Sequence, residues 1–354
     1  MRYRKYVEKL RVDINRLFEV AEMVRKDEIV ITAGKGRSGK AAELGAMMLR
    51  KIGVNSFYYE DASAPLAEEV GEKKTLGILV SGSGKTPEIV KLAKELQKLG
   101  GEIVAFTSSP NSPLAEYANI VLELPSRARE LSGSYLERRV VRTEMPTMGD
   151  LPEEASIYAF YNLSKVLNNE EVEKIGKFSE WIENNTKNIE KLSSLLKTYS
   201  DTGILVIAKG MSRPIAGMIV NRANHYAIKM RSVDEPSSSP LRPTELAIII
   251  SGSADPFYRQ LVGKIKELKT EIGRREIRAC TVAIVGREAP WLRETDFYVV
   301  IGGEEEPAYS MFRERGSVSW FYFMAPVFIN TCLRNVAEKI GITEVYASYR
   351  HINV

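Results

Sequence analysis

Twice along this 354-residue chain a short apolar run ends in a serine–glycine–serine turn and passes into an amphipathic segment. The first run, Leu76 to Val80, leads into Ser81-Gly82-Ser83-Gly84-Lys85-Thr86-Pro87; the second, Leu246 to Ile250, leads into Ser251-Gly252-Ser253. Each run reads as a buried parallel strand. After the first turn Ile89, Val90, Leu92, Ala93, Leu96 and Leu99 recur at helical spacing. Thr86 is placed to cap that helix, Pro87 suits its first position, and Glu88 falls in its positive first turn. Gly82 and Gly84 let the backbone curl so that N–H groups converge, and Ser81, Ser83 and Thr86 add hydroxyls. Strand, small-residue loop and capped helix make an anion site, with phosphate the leading occupant. An ordinary turn of the same composition is the alternative.

The surrounding order repeats as well. Residues 1–27 are predicted as a helix, Glu28 to Ala33 as a strand, and Gly34-Lys35-Gly36-Arg37-Ser38-Gly39-Lys40 as the turn into a helix ending near Lys51. Further strands are predicted at Asn55 to Tyr59, Glu102 to Thr107 and Asn119 to Leu124, with helices at Glu153 to Asn168 and Val172 to Tyr199. Strands alternating with helices at this spacing imply a parallel sheet covered on both faces. In the second half Ile204 to Ala208 and Lys209-Gly210-Met211-Ser212-Arg213 answer the first strand and turn. Thr281 to Val285 answers the strand at Val104 to Thr107. The offset of roughly 170 residues marks an internal duplication, and gives two α/β domains, 1–170 and 171–354. The second has diverged: Met211 replaces Arg37, Arg213 replaces Gly39, and Ala254-Asp255 replace Gly84-Lys85. Asp255 repels a phosphate by like charge, so Ser251 and Ser253 belong to a vestigial loop or hold a neutral part of the ligand. Ser319 to Ala337 is predicted as an amphipathic helix.

Composition removes several function classes. Lys+Arg 50 against Asp+Glu 46, interleaved, leaves +4, with no basic stripe for nucleic acid. The cysteines Cys280 and Cys332 and the histidines His225 and His351 support neither a disulfide framework nor a metal centre. No apolar stretch reaches the ~20 residues of a membrane span, and Arg2, Arg4 and Lys5 precede no apolar signal core. A cytoplasmic protein is expected. Gly34, Gly36 and Gly39 spell a dinucleotide fingerprint with Glu60 beyond it, and nearly a P-loop, but Ala41 stands where Ser or Thr should bind Mg²⁺. Lys35, Arg37 and Ser38 fit a phosphate or a sugar hydroxyl at this helix start equally well.

The GKGRSG turn, the SGSGKT loop and Thr107-Ser108-Ser109-Pro110-Asn111-Ser112-Pro113-Leu114-Ala115 resemble the sugar isomerase (SIS) domain. Within that family residues 15–167 look most like 6-phospho-3-hexuloisomerase. Met148-Gly149-Asp150-Leu151-Pro152-Glu153 is similar to that enzyme's Met-Gly-Thr-Leu-Phe-Glu, with Asp150 and Pro152 departing from it. The resemblance implies two flavodoxin-like domains in a homodimer that binds a sugar phosphate without metal or other cofactor. It implies aldose–ketose isomerisation of a hexose- or hexulose-6-phosphate through an enediol. Glu153 is then the base, with Glu154 as fallback, and Arg37, Lys85 or Lys209 stabilises the enediolate. Tandem members carry Asn-Glu in a helix of the second domain, where this chain has Asn224-His225, and a lysine near the end, where it has His351; both histidines are candidates by position. The substrate-binding set is Gly36, Arg37, Ser38, Ser81, Gly82, Ser83, Gly84, Lys85, Thr86, Lys209, Ser251 and Ser253. A sugar-phosphate sensor without turnover, or an amino-sugar phosphate deaminase, are the alternatives.

Overall fold

The computed structural model describes residues 2–125, 150–235, 238–272, 275–302 and 316–342. Its contacts group into two units, Met1–Glu183 with Arg315–Val318, and Asn184–Glu314 with Ser319–Val354. Residues 171–183, counted above with the second half, side with the first, because Phe178 sets its ring against Tyr158 and Tyr161.

The first unit opens with two helices, α1 (Arg2–Glu8) and α2 (Ile14–Lys26), rather than one. Asp13 forces the break: its carboxylate accepts from the Asn15 N–H and caps α2. Then come β1 (Ile29–Gly34), α3 (Gly36–Lys51), β2 (Ser56–Tyr58), α4 (Ala67–Glu72), β3 (Thr75–Val80), α5 (Pro87–Lys98), β4 (Glu102–Thr107) and β5 (Ile120–Glu123). The strands pair in parallel in the order β2-β1-β3-β4-β5. β1 and β3 are buried at every position, as a sheet covered on both faces requires. On one face Ile31, Ala33, Leu79 and Ile103 meet Ile89, Ala93 and Leu96 of α5. On the other, the Thr32 hydroxyl donates to the Ala42 carbonyl of α3 at 2.8 Å. α3 and α5 therefore leave the adjacent strands β1 and β3 toward opposite faces, opening a crevice at the strand C-termini.

α6 (Asp150–Leu167) and α7 (Ile175–Asn184) complete the unit. α6 lies close on α3: a methyl group at Gly45 would stand 2.5 Å from the Phe160 ring. That approach brings the start of α6 to the start of α3.

The second unit runs α8 (Thr186–Thr198), β6 (Ile204–Ala208), α9 (Ser212–His225), β7 (Met230–Ser232), β8 (Leu246–Ser251), α10 (Phe257–Lys266), β9 (Lys269–Ile272), β10 (Arg275–Arg278), β11 (Cys280–Val285), β12 (Phe297–Val300) and α11 (Phe321–Lys339). The helix predicted over Val172 to Tyr199 is thus two helices parted at Asn185. The parallel order β7-β6-β8-β11-β12 repeats that of the first sheet. Between α10 and β11 lies an antiparallel ribbon, β9–β10, with no counterpart between α5 and β4. α11 is not the amphipathic helix expected. Nearly every residue from Phe321 to Ala337 is buried, and a helix apolar on all sides belongs in a core.

Candidate functional site

At the C-terminal ends of β1 and β3 three pieces of the first unit meet. The loop after β3 is held from inside. Ser81 and Thr86 hydroxyls lie 2.9 Å apart, the Gly84 N–H donates to Ser81 Oγ at 3.1 Å, and the Lys85 N–H donates to Ser83 Oγ at 3.2 Å. Thr86 occupies the N-cap of α5, yet its side chain makes no cap bond, being turned to Ser81 instead. Gly84 has φ +63, and a methyl there would reach within 1.9 Å of Ser112 Oγ, so the turn admits only glycine. The segment after β4 braces the loop: Ser108 N–H donates to the Gly82 carbonyl, and Leu114 N–H to that of Gly84, each at 3.0 Å. Ser81 is buried by this packing, while Ser83 and Lys85 stay exposed.

The second piece is the first turn of α3. Gly36 takes φ +58, and Arg37 behind it is buried while Ser38 is half-buried. Lys35 turns aside to Glu60, 2.6 Å away, and Tyr58 and Tyr59 hydroxyls donate to the same carboxylate at 3.1 Å. These bonds hold the Glu60 pKa below the ordinary range, led by the Lys35 hydrogen bond. The acidic residue of the apparent dinucleotide fingerprint is thereby committed to protein groups.

The third piece is the start of α6. Pro152 lies against Gly82, its Cβ 3.2 Å from where a Gly82 methyl would be. One residue on, Glu153 is 8% exposed, and its Oε2 faces Arg37 Nη1 at 3.5 Å. Burial pushes the Glu153 pKa up to about 7; Arg37 opposes that shift and Glu154 adds to it. Glu154 points elsewhere, accepting a hydrogen bond from the buried Tyr6 hydroxyl. The arrangement offers a proton acceptor poised near neutrality, a guanidinium beside it and a hydroxyl-lined anion loop.

The structure thus brings together Gly36, Arg37, Ser38, Ser81, Gly82, Ser83, Gly84, Lys85, Thr86 and Glu153. Lys209, His225, Ser251 and Ser253 belong to the second unit. Lys209 Nζ sits 3.4 Å over the Phe257 ring. His225 is the last residue of α9, roughly 20 Å of helix rise from the loop after β6, at the end away from Ser251 and Ser253. His351, with Met148 and Gly149, lies outside the described residues. Sequence reasoning passed over Pro152 as a contact of the Ser loop, Tyr6 as a partner of Glu154, and Ser112 as the wall behind Gly84. Ser112, inside the Thr107–Ala115 segment, and Pro152, inside Met148–Glu153, carried a signal; Tyr6 carried none.

Comparison with known proteins agrees with this fold. A family model described as SIS domain matches residues 23–138. The chain is 34% identical over 129 residues to a 3-hexulose-6-phosphate isomerase of Mycobacterium gastri, a match covering 36% of this chain and 63% of that one. It is 33% identical over 146 residues to the 3-hexulose-6-phosphate isomerase of Bacillus subtilis, covering 41% of this chain and 72% of that one. Over nearly the whole length, 97% of this chain and 96% of the other, the fold resembles a glucosamine-6-phosphate deaminase from Thermotoga maritima, with a TM-score of 0.62 and 14% identity. Among the described residues no helix is long and apolar enough to cross a membrane. By sequence, the chain belongs to the SIS domain family.

Proposed function

We propose that the first unit is the site of a phosphosugar isomerase, acting on a hexose- or hexulose-6-phosphate. The observation that carries this reading is Glu153: a carboxylate buried beside an anion loop, with its pKa pushed up to about 7 by burial. In this reading the phosphate lies on the Ser81–Thr86 loop, where its oxygens replace the Ser83 hydroxyl as acceptor of the Lys85 N–H. Arg37 stands beside the base and stabilises the oxygen that gains charge. Glu153 takes the proton from the carbon next to the carbonyl. Electrons flow into an enediolate, a proton moves between the two oxygens, and the proton on Glu153 returns to the former carbonyl carbon. The carbonyl has moved by one carbon, and no other reactant is consumed.

The activity, the sugar, a homodimeric assembly and a cytoplasmic setting are all part of this proposal. It is supported by the relatives named 3-hexulose-6-phosphate isomerase. A coupled assay with purified chain and a panel of sugar phosphates tests it: turnover of a hexose- or hexulose-6-phosphate is expected. Binding without turnover would make the protein a sensor.

A further inference from the structure

The duplication supplies an internal comparison. In the first unit the residue packed against the middle glycine of the Ser loop is Pro152, and Glu153 follows it. In the second unit the corresponding glycine, Gly252, is met by Tyr322 at the start of α11, and Phe323 follows. A methyl at Gly252 would stand 2.5 Å from Tyr322 Oη and 3.3 Å from the Phe321 ring. The phenol therefore lies directly on the loop. Gly252 is buried, whereas Gly82 is half-open.

Other groups close the same loop. Arg287 Nε donates to the Ser253 carbonyl at 2.6 Å, and Trp291 Nε1 donates to that of Ala254 at 3.0 Å. Ser251 Oγ accepts from the Asp255 N–H at 3.3 Å. The turn itself is intact, because Ala254 keeps a left-handed φ of +50 where Gly84 has +63. The loop has kept its shape and lost its opening. Where the first unit places the carboxylate of Glu153, the second has the buried ring of Phe323, which moves no proton.

We infer that Tyr322 is a built-in plug on the second Ser loop, so that each chain binds one sugar phosphate, in its first unit. This rests on the phosphosugar reading above. Ser251 and Ser253 then frame a closed turn, and the alternative of a second, neutral ligand subsite falls away.

Titration calorimetry with fructose 6-phosphate tests the inference. The wild-type chain should bind one equivalent. Ser83→Ala should weaken that event by about tenfold or more and reveal no other. In the double variant Tyr322→Ala, Asp255→Asn a second and weaker event should appear, with the first as its internal control for folding. Two equivalents on the wild type, or an event that Ser83→Ala leaves untouched, would overturn the inference. A double variant that still binds one would show that Tyr322 is not the plug. A wild-type chain that binds neither fructose 6-phosphate nor any other hexose or hexulose 6-phosphate overturns the phosphosugar reading itself, and this inference with it.

Discussion

Arg37 and Glu153 face each other inside the first unit, Nη1 to Oε2 at 3.5 Å, with both side chains nearly out of solvent. At that distance the pair is longer than a charge-assisted hydrogen bond. Desolvation outweighs it, and the Glu153 pKa rises to about 7. A base at that value is half-ionised where it has to work. The acid limb of kcat/KM should accordingly turn near pH 7 and rise with pH, measured with any sugar phosphate the protein turns over. Arg37→Met, which installs the residue found at the matching place in the second unit, removes the opposing cation. The limb should then move about one unit or more upward. A limb that stays put would separate Arg37 from the base.

The same shift makes a stability prediction. Glu153 binds its proton more tightly folded than unfolded, since its pKa is raised from 4.5 to about 7. Its contribution is full below the unfolded value and is lost as pH rises through the folded one. Glu153→Gln cannot titrate. Its melting temperature relative to wild type should therefore climb between about pH 4.5 and 7, by the equivalent of up to ~3 kcal/mol. A difference that is flat across that window would contradict the burial argument.

Within the Ser loop two hydroxyls should behave differently. Ser81 is buried and bonded to Thr86 and Gly84, so Ser81→Ala should lower both melting temperature and affinity. Ser83 is exposed and bonded only within the loop. Ser83→Ala should raise KM with little change in melting temperature, by about 1.5–3 kcal/mol of binding if the hydrogen bond is charge-assisted.

Gly84→Ala should be the most damaging single change in the loop. It adds a backbone strain of about 1 kcal/mol or more to a contact of 1.9 Å with Ser112 Oγ. Thermal melting should show a clear loss, with sugar-phosphate binding impaired as well. An unperturbed Gly84→Ala protein would mean that Ser112 and its loop yield freely.

Strands that are short apolar runs closed by small residues were legible: the span Glu102–Thr107 and the span Ile204–Ala208 match their predicted limits, whereas β7 and β12 went unpredicted. So was the loop between Ser81 and Pro87, whose glycines sit where the backbone has to turn. Breaks inside helical patterns were less visible, because Asp13 and Asn185 interrupt runs whose apolar spacing continues on either side. The β9–β10 ribbon escaped notice: its charged, alternating residues carry no apolar run. α11 was misread because Asn330, Thr331 and Asn335 look like a polar face, yet all three are buried. The pairing of Arg37 with Glu153, and of Tyr322 with Gly252, joins residues far apart in sequence. No local pattern encodes such a pair; it follows only once the helix after the last strand folds back across the sheet.

The most direct test of the central claim is proton exchange at the carbon next to the substrate's carbonyl. Wild-type protein and Glu153→Gln are incubated in D₂O with a sugar phosphate that both bind, and deuterium at that carbon is followed by NMR. The wild type should incorporate solvent deuterium as it isomerises the sugar. Glu153→Gln should bind within a few-fold of wild type while exchange and kcat fall together by ~10²–10⁴. Unchanged exchange and kcat in Glu153→Gln would contradict the assignment of the base to Glu153.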